Sequence, residues 1–139
     1  MCADFDFMKL ISSSLFEIIY IYRMEQIITI QVTIKQKSDQ QPITGSDYKV
    51  NFFDKDLISD DALGSSSPDD SGLASVQVTR KDFRSEDSPL ENHPDVYFTV
   101  EKHGDEIFTS PVCKDLKVDE SFNYPDSGGL VCDLGTFLI

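Results

Sequence analysis

The chain has 139 residues, 40% of them apolar and 11% aromatic, which suits one domain with a real core and argues against a disordered tail. Its 25 Asp and Glu against 12 Lys and Arg give a formal net charge of −13, and that charge repels phosphate backbones, so no nucleic-acid partner is expected. Anionic lipid headgroups are repelled too unless a divalent cation bridges them.

In chain order, Leu10–Tyr22 is apolar enough to suggest a signal peptide or a short anchor. Asp4 and Asp6 replace the basic start of a signal, Ser12, Ser13, Ser14 and Glu17 interrupt the run, and no small-x-small cleavage site follows. The run is also too short to span a bilayer. Residues 1–23 are therefore expected to be a loosely attached extension, helical or disordered. Met24 is an alternative start directly before residues 24–139, the predicted domain. With no signal accepted and few cysteines, the default location is cytoplasmic, and secretion by a signal-independent route stays open.

From Ile28 the hydrophobic period is two. Ile28, Ile30, Val32 and Ile34 alternate with polar residues, predicting a half-buried strand with β-branched residues inside. Tyr48, Val50 and Phe52 predict a second strand, and Ala62-Leu63-Gly64 begins a short third. Asp69-Asp70-Ser71-Gly72 is a turn signal, because Asp caps turns and Gly accepts positive φ. Ala74, Val76 and Val78 form the next strand. Lys81–Asp87 predicts one helical turn, in which Phe83 plugs the end of the core. Ser88–Pro94 carries two prolines and reads as loop. Val96, Phe98 and Val100 predict a strand that turns at Lys102-His103-Gly104-Asp105 into Glu106–Ser110, a candidate sheet edge. Leu130, Cys132 and Leu134 open the last strand. Seven or so short strands separated by regular turn signals predict an all-β sandwich.

Several of these segments, in this order, resemble the small transthyretin-like (prealbumin-like) β-sandwich modules. They are Tyr48–Asp56, Asp60–Gly64, Asp70–Gly72, Asp82-Phe83, Pro94–Phe98 and Val131–Gly135. The resemblance spans roughly 28–138. It implies a seven- or eight-stranded Greek-key sandwich with a short helix between middle strands, commonly a binding or structural unit. The enzymatic relatives, the hydroxyisourate hydrolases, use histidines and an arginine and end in Tyr-Arg-Gly-Ser. Here the chain ends Gly135-Thr-Phe-Leu-Ile139 and has two histidines, His93 and His103, so that activity is not carried over.

The densest chemical feature is acidic: Asp54, Asp56, Asp60 and Asp61, with Asp69 and Asp70 further on. Asp-x-Asp at a strand end places two carboxylates by one loop, and a hard cation such as Ca²⁺ takes six to eight oxygens from flexible loops. Asp54, Asp56, Asp60 and Asp61 are the candidate Ca²⁺ ligands. A strand from 62 to 67 would carry Asp69 and Asp70 to the other end of the sheet, since five residues span ~16 Å. The competing reading is turn capping and solubility. Ten residues of strand place His93 and His103 ~33 Å apart, too far to share a metal. Cys2, Cys113 and Cys132 make no disulfide framework. Cys113 and Cys132 would pair if their strands were neighbours, and the favoured expectation is two unpaired, mostly buried thiols. No phosphate loop, zinc motif or hydrolase elbow occurs. The primary expectation is thus a non-catalytic binding module without a cofactor, its partner an unassigned protein or small ligand and its oligomeric state open. The alternative is a Ca²⁺-dependent binding domain.

Overall fold

A computed structural model describes residues 27–79, 94–116 and 130–139, together with Leu15, Ile18 and Asp82. Most of the extension, all but one residue of the predicted helical turn, Phe83 and His93 lie outside the described residues.

The period-two segments all become strands: β1 (Ile28–Lys35), β2 (Tyr48–Asp54), β3 (Asp61–Ser66), β4 (Leu73–Val78), β5 (Val96–Lys102), β6 (Asp105–Thr109) and β7 (Leu130–Leu138). They form two sheets, one ordered β4-β1-β7 and the other β3-β2-β5-β6. All the pairings are antiparallel except that β1 runs parallel to β7. Consecutive strands pair directly only in the β2-β3 and β5-β6 hairpins, so every other connection passes from one sheet to the other.

The alternation decides which side chains lie between the sheets. Ile28, Ile30, Val32 and Ile34 of β1 are fully buried and, with Ala74, Val76 and Val78 of β4 beside them, face Val50 and Phe52 of β2 and Val96, Phe98 and Val100 of β5 in one core. Phe98 ties the layers together. Its ring meets Phe137 of the opposite sheet edge-on, with centroids 4.9 Å apart, and tilts against Phe52 and Phe108 in its own sheet. Edge-to-face rings add attraction beyond the area they bury.

The turns follow their chemistry. The Asp69 carboxylate accepts bonds from the Ser71 hydroxyl (2.6 Å), the Ser71 amide (2.9 Å) and the Leu73 amide (3.0 Å). These bonds, the Ser71 hydroxyl first, hold its carboxyl below the ordinary range. In β7, Leu134 and Gly135 fall where β1 contributes only Val32, a bulge that Gly135 accommodates at φ +103°. His103 turns the β5-β6 hairpin at φ +52°, exposed, with its Nδ1 3.8 Å from Asp47. β6 is the outer strand of the four-stranded sheet, as the sequence predicts.

The thiols need a correction. Cys132 is buried against the core, but Cys113 is exposed, and no disulfide joins them. Cys113 lies outside the alternating strands, in a two-way backbone bridge to Val96, which fixes its main chain and leaves its side chain in solvent.

Candidate functional site

The site grows from the parity of β2. Val50 and Phe52 point into the core, and the period of two sends Asp54 the same way. Asp54, the last residue of β2, is consequently 1% exposed. The antiparallel register sets Asp61, the first residue of β3, directly opposite it. Like charges opposed in this way disfavour the pairing. The chain leaves β2 through Lys55, whose amide donates to the Asp95 carbonyl at 2.8 Å, and Asp56 follows, half-buried.

This geometry brings three of the four predicted ligands together. Carboxylate oxygens of Asp54, Asp56 and Asp61 all lie within 4.8 Å of one another. Ca²⁺ holds its oxygens at roughly 2.3–2.6 Å, so ligands on opposite sides of the ion are about 5 Å apart and all three groups fit one shell.

Asp60 is diverted. One of its oxygens accepts the Asp56 amide at 3.2 Å, and the other accepts the Tyr97 hydroxyl at 2.6 Å. It shapes the loop, while the converging set is Asp54, Asp56 and Asp61. Asp69 and Asp70 stand beyond the far end of β3 and take no part in the cluster.

Tyr97 is the participant that sequence reasoning missed. It lies on the outer face of β5, stacked on Phe53 with centroids 5.1 Å apart. Its place opposite Phe53 in the β2-β5 register is what carries its hydroxyl to Asp60, and no local pattern signals a partner 37 residues away. Desolvation first, then the hydrogen bond to Asp60 and the charges of Asp60 and Glu106, push its phenol up to about 12. The folded value exceeds the unfolded one. The contribution to stability is therefore full below about pH 10 and is lost as pH rises through about 12. Subtracting the ultraviolet phenolate titration of Tyr97→Phe from that of the parent chain should isolate one late-titrating tyrosine. In Asp60→Asn the same tyrosine should titrate closer to its ordinary value. An unmoved titration would mean that Asp60 is not its partner in solution.

The loop between β2 and β3 has a second property. Leu57 and Ile58 at its tip are 104% and 83% exposed, the extremes among the described large apolar residues. Two adjacent apolar residues inside Lys55-Asp-Leu-Ile-Ser-Asp60 break the polar pattern of a loop, and that was the available signal.

Fold and cluster together define an all-β sandwich, with seven strands among the described residues and three carboxylates grouped at one end of the β2-β3 pair. No family model matches the chain, and no curated protein matches it. Among solved structures it is similar to a 9R-lipoxygenase from Cyanothece PCC8801, at 14% identity and a TM-score of 0.49, over 84% of this chain and 17% of that one. The chain thus spans about a sixth of that protein's length. No helix among the described residues is long and apolar enough to cross a membrane.

Proposed function

We propose that this chain is a non-catalytic binding module whose working end is the β2-β3 rim, and that the rim takes Ca²⁺ through Asp54, Asp56 and Asp61. One observation carries the reading: the three carboxylates lie within 4.8 Å of one another. The oxygen-only donor set is what a hard cation selects. Ca²⁺ suits a rim fed by a six-residue loop better than Mg²⁺, which demands near-ideal octahedral geometry and keeps much of its water. We also propose the finer assignment to the transthyretin-like modules. Its support is the set of seven strands among the described residues, in sheets of three and four, with Tyr48–Asp56, Asp60–Gly64, Pro94–Phe98 and Val131–Gly135 falling on or beside β2, β3, β5 and β7.

The test is a thermal melt of the full chain in EDTA, in millimolar Ca²⁺ and in millimolar Mg²⁺. At a free concentration about ten times Kd the folded state gains about 1.4 kcal/mol, a rise in Tm of roughly 4–6 °C for a domain of this size. The rise should vanish in Asp56→Asn with Asp61→Asn and persist in Asp60→Asn, whose carboxylate is engaged by Tyr97. Equal melting curves in EDTA and Ca²⁺ would remove the cation and leave the rim as surface charge.

A further inference from the structure

The outer strand of the four-stranded sheet, β6, is exposed at every residue but Phe108. Its pairing with β5 shows which main-chain groups are open. The Ser110 amide donates to the Phe98 carbonyl at 2.9 Å, so Phe98 and Ser110 form a bonded pair of this antiparallel ladder. Bonded and non-bonded pairs alternate. Thr99 and Thr109, the next pair in the register, therefore exchange no main-chain bonds, and the Thr109 amide and carbonyl face away from β5. The side chains along this edge carry one sign of charge. On the outer face the register runs Lys49, Glu101, Glu106 across β2, β5 and β6, and stops on an acid at the open edge. One residue on, and so on the other face, it runs Tyr48, Lys102, Asp105 and stops on a second acid. We infer that β6 is the docking edge for an extended basic segment of a partner protein, added to the sheet as a further strand. Its main chain pairs at Thr109, and its lysines or arginines lie beside Glu106 and Asp105. This surface uses none of Asp54, Asp56 and Asp61 and is independent of the cation reading.

Charge selects the occupant. An exposed edge pairs with any strand that its side chains do not repel. Asp105 and Glu106 lie on opposite faces, so an added strand meets an acid whichever way its side chains point. That opposes acidic strands, including those of a second copy of this chain, whose net charge is −13. Glu106 stands directly opposite Glu101, and like charges so placed disfavour the pairing. A cation on the incoming strand would sit on the free side of Glu106 and offset that. Main-chain bonds alone make a weak site here, because β6 is short and carries an extra residue, Ile107, between the pairs Val100–Phe108 and Glu101–Glu106. Charge must therefore supply much of the affinity, and raising the salt concentration should weaken it. Ile107, 46% exposed, adds apolar contact beside the acids.

The probe is a blocked, labelled peptide of sequence Thr-Val-Lys-Lys-Val-Thr, mixed with the full chain in EDTA so that no cation takes part. One control replaces Lys-Lys by Glu-Glu. A second keeps the lysines but is N-methylated at alternate residues, which removes main-chain donors and leaves the charge. Fluorescence anisotropy reads binding, and amide hydrogen exchange at Thr109 reads its place. The basic peptide should bind, more weakly as salt rises, and should slow exchange of the Thr109 amide. Both controls should bind at least about tenfold more weakly. Thr109→Pro should keep Tm near that of the parent chain, since proline is tolerated where the N–H faces solvent, and should lose the binding. Glu106→Lys should lose the preference for the basic peptide over the acidic one. Absence of binding overturns the docking edge. Equal binding of the N-methylated peptide, or binding that Thr109→Pro leaves unchanged, overturns strand addition in favour of diffuse attraction between charges. Equal binding of the acidic peptide overturns the charge selection. Unfolding of Thr109→Pro would place that amide inside the ladder and overturn the open edge. Dimerisation of the parent chain, abolished by Thr109→Pro, overturns the basic partner in favour of a second copy.

Discussion

Phe98→Ala should destabilise the domain by about 3–5 kcal/mol, measured as a lower urea midpoint at unchanged slope. Phe98 is 1% exposed and touches the rings of Phe52, Phe108 and Phe137, so truncation removes its edge-on contact with Phe137 across the sheets and leaves a cavity bounded by three rings. Rings anchored on separate strands cannot collapse into the space, which places the cost towards the upper part of the range. Native domains carry only about 5–15 kcal/mol in total, so this one change takes a large share. Phe53→Ala removes the same number of atoms from the outer face. Phe53 is half-buried and its main ring partner is Tyr97, so that change should cost only about 1–2 kcal/mol. Equal losses at the two positions would contradict the placement of the core between the sheets.

Gly72→Ala is the second large effect expected, about 3 kcal/mol or more, and it acts through the backbone. Gly72 has φ +82°, where an L side chain is strained by about 1–3 kcal/mol. An added Cβ would stand 2.5 Å from the Ile34 carbonyl oxygen and 3.3 Å from Cβ of Pro42. That carbonyl already accepts the Ile43 amide, and the Ile34 amide donates to the Gly72 carbonyl, so moving β1 aside would disrupt both of these bonds. Gly45→Ala separates strain from clash. Gly45 has φ +102° with nothing within 4 Å of its built Cβ, so strain alone should appear, about 1–2 kcal/mol. Chemical unfolding of both variants, run side by side, checks the difference.

The rim carries a functional argument of the same form. Asp54 follows Val50 and Phe52 on the inward parity of β2, so its burial is readable from the spacing alone. Its convergence with Asp61 is not, because it depends on a register of the β2-β3 pair that shifts between Phe52 and Phe53. Side chains alternate at each residue along a strand, so a slip of one position would present Asp61 to the other face. Asp60 shows the limit of grouping by proximity in sequence. Adjacent to Asp61 and next in line for the same cation, it is drawn off by Tyr97 across the outer face of the sheet.

The sequence by itself determined the class of protein. The alternation of Ile28 to Ile34, Val50 to Phe52, Ala74 to Val78 and Val96 to Val100 located the strands and their inner faces, because a period of two can bury only one side of a pleated sheet. Gly72 and the Asp69 turn were legible for the same local reason, since positive φ and side-chain capping are properties of a few adjacent residues. Tertiary structure alone decided the parallel pairing of β1 with β7, the exposure of Cys113, the reach of Tyr97 to Asp60 and the choice of Asp54, Asp56 and Asp61 out of a longer run of aspartates. Each depends on which strand lies beside which and in what register, and that is settled by the cooperative packing of side chains far apart in the chain.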